Sequence, residues 1–232
     1  MGAATWTAAC VFGSIHEATL IERSEQMIAL GKQLFVSGPH ALRAATWITG
    51  DAARPPDGRY DLVVASYVLG ELADDVRREA IARWFDATSG ELVIVEPGSP
   101  HGFEAVRAAR DRLIGLGATV TAPCPHDGTC PMTDGDWCHF GLRVQRSRLQ
   151  RQVKSGDRGF EDEKYSFVAA SKLGVSTRSA RVLRRPERHG GHVRLRLCAA
   201  DGVEDVVVAK RESDRYRRAR KLGWGDPFTD DD

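Results

Sequence analysis

The sequence predicts an α/β fold built on a parallel sheet with helices on both faces. Three observations carry this. Short apolar runs alternate with amphipathic helical stretches through residues 3–121. The run Asp61–Val68 (DLVVASYV) is almost continuously apolar, as in a strand covered on both faces. Glu22, Asp51, Ser66 and Glu96 close successive strands at the carboxyl end, where such sheets bind ligands.

In chain order, residues 3–13 open a helix. Ala18–Ile21 is a short strand closed by Glu22. An acid there, about 20 residues past a glycine turn, is where nucleotide-binding folds hold a ribose. Ser24 reads as the N-cap of a helix over Glu25–Phe35. Residues 47–51 (WITGD) form the next strand, ending on Asp51. Asp74-Asp75 lead a helix whose apolar positions Val76, Ile81, Trp84 and Phe85 share one side. Glu91–Val95 is a buried strand, and Phe103–Leu116 a helix stopped by Gly117. Thr119–Thr121 then feeds a cysteine-rich loop.

That loop, residues 122–140, places Cys124, Cys130 and Cys138 among Pro, Gly and Asp, too polar to form a core. Metal coordination gives three thiols a reason to converge there, and Cys198, at the end of a later strand, offers a fourth soft ligand. Zinc ribbons usually hold their ligands in tight pairs. The wider gaps here, with Pro123, Pro125 and Pro131 stiffening the loop, favour an iron–sulfur cluster over zinc. His126 and His139 keep a Cys3His zinc site open as the rival. Cys10, in the apolar start, is expected to be a spectator.

Beyond the loop, Arg143, Arg146, Arg148, Arg151 and Lys154 are expected on one basic helix, with Leu142, Leu149 and Val153 packed inward. Tyr165–Ala170 is a strand. Val193–Cys198 and Val206–Ala209 flank a glycine-containing turn and read as a β-hairpin. Ser213 is expected to cap a last helix rich in Arg215, Arg217, Arg218, Arg220 and Lys221, with Tyr216 and Trp224 interleaved. The tail Asp230–Asp232 is expected to be disordered.

The 232 residues allow one α/β core with an appendage. Expected divisions are 1–121, 122–154 and 155–232. The net charge of +1 hides an asymmetry. Residues 1–140 hold 11 of the 33 Lys+Arg and 18 of the 32 Asp+Glu, a balance of −7, which leaves residues 141–232 at +8. A basic half of this kind faces a polyanion, and Arg143, Arg146, Arg151, Lys154, Arg217 and Arg218 are its candidate phosphate contacts, which the resemblance given below assigns to RNA. No apolar run reaches the roughly 18 residues of a membrane span, so no membrane partner is expected. The start lacks the basic flank of a signal peptide, and five clustered cysteines fit a reducing compartment. A cytoplasmic location follows. No obligate protein oligomer is expected.

The blocks APCPHDGTCPM, DWCHFGLRVQRSRLQRQVK and FEDEKYSFVAASK, with LVVASYVLGEL, LVIVEPGSPHGF and YRRARKLGWGD, make the chain resemble the ribosomal small-subunit methyltransferase-like family of bacteria and mitochondria. The resemblance covers essentially the whole chain. It implies a Rossmann-like class I S-adenosylmethionine-dependent methyltransferase sheet. It implies a [4Fe–4S] cluster on Cys124, Cys130, Cys138 and Cys198, and association with the small ribosomal subunit or its precursor and with rRNA. Gly2 would be the last glycine of the cofactor turn, with Glu22 on the ribose hydroxyls, Asp51 near the adenine and Ser66 at the next strand end. The first, central strand of the family's sheet is expected to be missing from this chain, leaving a gap, through a misassigned or truncated start in preference to a degraded copy. After LVVASYV stands Ser66-Tyr67-Val68-Leu69 rather than the Asn/Asp-Pro-Pro-Tyr tetrapeptide of amino-methyltransferases, so no catalytic residue is named. The function the resemblance implies is methyl transfer from S-adenosylmethionine to rRNA, and the competing function is a non-catalytic rRNA-binding assembly factor with a structural iron–sulfur or zinc site.

Overall fold

The computed structural model describes residues 2–133, 135–153, 159–174 and 179–229. The chain divides into two compact units, Met1–Leu92 and Val93–Asp232.

In the first unit, helix α1 (Ala3–Val11) leads to strand β1 (Thr19–Glu22), helices α2 (Glu25–Phe35) and α3 (His40–Arg43), and strand β2 (Thr46–Thr49). Ser24 caps α2 as its sequence position predicts, its hydroxyl accepting the Met27 N–H. On α2, Ile28, Gly31 and Phe35 recur at helical spacing and face inward. Phe35 joins Leu20 and Leu42 in a small core flanked by Trp6 and Trp47. Gly31 admits the Trp47 ring, since a Cβ there would lie 2.3 Å from it. Strands β1 and β2 are parallel, with Glu22 opposite Thr49, and form a two-stranded sheet of their own. The unit continues through β3 (Tyr60–Ser66), a short 3-10 turn and helix α4 (Asp74–Ala87). Ile81, Trp84 and Phe85 are the buried face of α4, and the Trp84 indole donates to the Ala52 carbonyl. Val76, expected on that face, is exposed.

Strand β4 (Thr88–Pro97) carries the chain into the second unit, which continues with α5 (Pro100–Gly115), β5 (Thr119–Ala122), β6 (Phe140–Gln145), α6 (Arg148–Val153) and β7 (Phe160–Ser171). Strand β7 pairs antiparallel with both β5 and β6. The sheets are therefore mixed, where alternation alone predicted parallel strands throughout.

Residues 142–145 correct the expected basic helix. They are strand, paired along β7 from Phe140–Tyr165 to Gln145–Phe160. Only Arg148–Val153 is helical. Leu142, Leu149 and Val153 do not pack inward; they are 63%, 68% and 75% exposed. The six ladder pairs that β7 offers outweigh the modest helix propensity of an isolated basic segment.

Strands β8 (Ala180–Val182), β9 (Glu187–Arg188), β10 (His192–Ala199), β11 (Gly202–Ala209) and β12 (Pro227–Phe228) make a further sheet, in the order β11-β10-β8-β12 with β9 also on β10. The expected hairpin is β10–β11, turning through Ala200-Asp201. Val193, Leu195 and Leu197 alternate inward, joining Val182, Val208, Tyr216, Ala219 and Phe228 in one core. Helix α7 (Ser213–Ala219) covers this core. It is shorter than the basic run predicted, and Ser213 is not its cap. Glu212 stands before it, accepting the Ala209 N–H at 2.6 Å and pairing with Arg215 at 2.7 Å. The tail Asp230–Asp232 lies outside the described residues.

At the start of α5, Ser99 caps the helix by accepting the Gly102 N–H at 3.1 Å, with Pro100 in the first turn. A Cβ on Gly102 would sit 2.0 Å from the Pro97 carbonyl oxygen. Alanine normally gains about 1 kcal/mol over glycine in a helix. Here a rigid backbone atom occupies the space, so Gly102→Ala is expected to destabilise by ~1–3 kcal/mol. Urea unfolding measures it, and a stabilised variant would show that the Pro97 turn yields.

Candidate metal centre

Four cysteines, three from one loop and one from β10, line one cavity of the second unit. Helix α5 presents Phe103, Val106, Arg107 and Arg110 from one face, at spacings of three and four. The loop between β5 and β6 brings Cys124, Cys130, Met132 and Cys138. Strand β7 adds Ser166, Phe167 and Val168, and Leu183 and Cys198 close the wall. Phe103, Met132, Leu183 and Cys198 form a buried cluster with Cys130, Trp137 and Cys138 packed against it.

Strand parity explains why Cys198 matters. Val193, Leu195 and Leu197 fill the face of β10 toward the C-terminal core, so Cys198 falls on the face of the exposed Arg194 and Arg196. Yet it is 7% exposed. The cysteine loop is what covers it.

The thiols feel one another. Burial pushes the Cys198 thiol up to about 12, and charge on Cys124 and Cys130 adds to the rise. Burial likewise raises Cys138, reinforced by Cys124, Cys198 and Cys130. Burial also raises Cys124, but Arg110 and Arg181 oppose it. Three such thiols, on Cys124, Cys138 and Cys198, are costly to ionise until a cationic centre takes them as thiolates. Among the described residues no three His, Cys, Asp or Glu side chains are grouped tightly enough to grip a single ion. The thiols frame the cavity instead of meeting at a point.

Arginines fasten the loop. Arg110 donates through one terminal nitrogen to the His126 and Gly128 carbonyls, at 2.9 and 2.7 Å. Arg181 donates to the Pro123 carbonyl at 3.1 Å and the Gly225 carbonyl at 3.0 Å. Arg184 holds the Asp136 carboxylate and donates to the Trp137 carbonyl. The Trp137 indole donates to the Gly98 carbonyl, and the Ser166 hydroxyl to the Cys138 carbonyl. Sequence reading missed all three arginines. They lie on other elements at no fixed spacing from the cysteines, and no local pattern marks them.

The two histidines are not in the cavity wall. His139 is buried, stacked on Trp137 at 4.9 Å and edge-on to Trp224 at 5.0 Å, and burial lowers its pKa. Cys10 is exposed on α1.

The expected RNA contacts are placed differently from one another. Arg143 lies over the Phe160 ring and makes a two-pronged pair with Asp162 at 2.8 and 2.9 Å. Arg146 pairs with Glu161 at 3.2 Å and is largely covered. Arg151 is exposed on α6, as is Arg148. Lys154 lies outside the described residues. Arg217 is exposed and paired with Asp214, and Arg218 is half-buried. Neither aromatic is displayed for base stacking. Tyr216 is buried in the C-terminal core, and Trp224, beyond the end of α7, packs against Gly141 and His139.

In the first unit, Gly2 takes a left-handed conformation (φ 74°), and a Cβ on it would meet the Phe35 ring at 2.6 Å. Glu22 and Asp51 close adjacent parallel strands. Glu22 accepts the Ser24 N–H at 3.0 Å, while Asp51 accepts the Ala53 N–H and pairs with Arg23 at 3.7 Å. Ser66 ends β3, followed by Tyr67 at φ 57°. No helix among the described residues is long and apolar enough to cross a membrane.

A family model described as "Mitochondrial small ribosomal subunit Rsm22" matches residues 1–229. The chain is similar to the human mitochondrial ribosome assembly protein METTL17, at 29% identity over 251 residues, covering 97% of this chain and 52% of that protein. It is similar also to the mitochondrial ribosome assembly protein RSM22 of Saccharomyces cerevisiae, at 22% identity, covering 74% of this chain and 45% of that protein. The chain thus spans about half the length of these relatives or less. Among solved structures it is similar to a putative methyltransferase from Thermoplasma acidophilum, with TM-score 0.45, 12% identity and coverage of 74% and 64%. It is also similar to YcgJ of Bacillus subtilis, with TM-score 0.44, 11% identity and coverage of 74% and 88%.

Proposed function

Because the chain belongs to the mitochondrial small ribosomal subunit Rsm22 family, we propose that it is a methyltransferase-like assembly factor of the small ribosomal subunit. In this reading it binds rRNA and holds a [4Fe–4S] cluster on Cys124, Cys130, Cys138 and Cys198. One observation carries the reading: these four cysteines, up to 74 positions apart, line a single cavity beside a buried guanidinium. The donor set fits such a cluster. It is all sulfur, its walls are apolar, and Arg110 and Arg181 oppose the negative charge of a four-thiolate centre. Ligation there would join the loop to β10, setting where β6 begins two residues past Cys138. Zinc on the same thiols is the competing occupant. Free thiols suit a reducing compartment, and we assign the chain to the cytoplasm.

Co-sedimentation tests the partner. Protein purified without oxygen is expected to migrate with small-subunit particles in a density gradient and to bind their rRNA directly. Migration only with the large subunit or with free protein would overturn the assignment.

The same reading places S-adenosylmethionine at the carboxyl ends of β1, β2 and β3, against Gly2, Glu22, Asp51 and Ser66. Support comes from the adjacency of Glu22 and Asp51 and from the cramped, left-handed Gly2. A strand and glycine turn preceding Gly2 would supply further backbone contacts to the methionine end. A chain extended in that way is expected to bind the cofactor more tightly, and Glu22→Ala to weaken it by about tenfold or more through the lost ribose hydrogen bonds. Calorimetry on the two chain lengths decides. Equal affinities would sink this assignment. The reading without methyl transfer is favoured by Ser66-Tyr67-Val68-Leu69, which offers no amide or carboxylate to a nucleophilic base nitrogen.

A further inference from the structure

The four thiols account for the cavity, but not for the charge buried in its wall. The Arg110 side chain is 4% exposed. One terminal nitrogen is spent on the His126 and Gly128 carbonyls, and the other on Asp111 at 3.0 Å. Asp111 is itself 59% exposed, so water screens what it offers. The Arg110 Nε is buried without a hydrogen-bond partner. A tether for the loop would need only donors. A permanently charged group at this depth needs an anion facing it. The cavity would supply one once its thiols are ligated, because Arg110 lines it together with all four cysteines. The other two arginines are placed differently. Arg184 is matched by Asp136, and Arg181 spends its nitrogens on the Pro123 and Gly225 carbonyls.

We propose that Arg110 is a positioning residue that supplies the internal counter-charge of the four-cysteine centre and raises the reduction potential of the cluster bound there. The inference rests on the cluster reading above. Its physics is direct: one added electron makes the cluster more negative by one charge, and a fixed cation nearby stabilises that reduced form more than the oxidised one. Removing the cation lowers the potential. A neutral donor in its place keeps a loop bond but not the charge.

The test compares wild type with Arg110→Lys, Arg110→Gln and Arg110→Met. Each is purified without oxygen, assayed for iron and sulfide, and titrated with dithionite while the spectrum is followed. The lysine variant is expected to keep wild-type loading and a potential near wild type, with the glutamine and methionine variants shifted to lower potential. Uncharged variants that lose the cluster while the lysine variant retains it would support the same conclusion. Potentials that do not differ among the loaded variants would overturn the inference. So would a lysine variant as empty as the methionine one, which would make Arg110 a loop tether alone. Iron-free wild-type protein would instead overturn the cluster reading itself, and the counter-charge with it.

Discussion

Cys198→Ser is expected to bleach the protein purified without oxygen and to lower its stability by at least ~3 kcal/mol, in the range reached when a bound metal centre is lost. Of the four cavity thiols Cys198 is the one outside the loop, so ligation through it would tie the loop to β10. Serine is nearly isosteric, but its hydroxyl is a poor ligand for iron and brings a polar group into a wall lined by Phe103, Met132 and Leu183. Without the fourth ligand, Cys124, Cys130 and Cys138 would be left as three half-buried thiols in a loop held by arginine bonds to its carbonyls. Cys10→Ser is the control, since that thiol is exposed on α1. Visible absorption and thermal unfolding report both effects. A Cys198→Ser protein with undiminished colour would remove this residue from the ligand set.

Arg148→Glu combined with Arg151→Glu is expected to weaken small-subunit rRNA binding and to reduce the salt slope of that binding by about two, one per lost phosphate contact. These two cations stand exposed on α6, beyond the β6–β7 ribbon. Arg143 and Arg146 are poorer choices, because each already holds an acid on β7. Changing either would set a like charge against Asp162 or Glu161 and perturb the ribbon itself. The cluster spectrum should stay intact in the double variant. Unchanged affinity and salt dependence would reduce α6 to a solvated surface.

Local signals were legible where they settle the structure locally. The Ser24 cap, the Glu25–Phe35 helix, the Gly117 stop (φ 88°) and the β10–β11 hairpin all appear where the sequence put them. Residues 140–153 were misread because charge was weighed over period. Phe140, Leu142 and Val144 alternate as a strand does, but β6 exists only through β7, twenty residues away in sequence, and no local pattern reports that pairing. Strands β8, β9 and β12 were invisible for a similar reason, each being two or three residues long, with β8 and β9 paired to β10 and β12 paired to β8. The site shows the same division. Thiol clustering in a polar loop pointed to Cys124, Cys130 and Cys138, whereas the burial of Cys198 on the polar face of β10 becomes meaningful only once the loop lies over it. Arg110, Arg181 and Arg184 read as three ordinary arginines until their carbonyl partners are seen.

Iron, acid-labile sulfide and zinc per chain, measured on protein purified without oxygen, test the account most directly. A [4Fe–4S] centre on Cys124, Cys130, Cys138 and Cys198 predicts about four iron and about four sulfide per chain, with little zinc. About one zinc per chain with neither iron nor sulfide would contradict it.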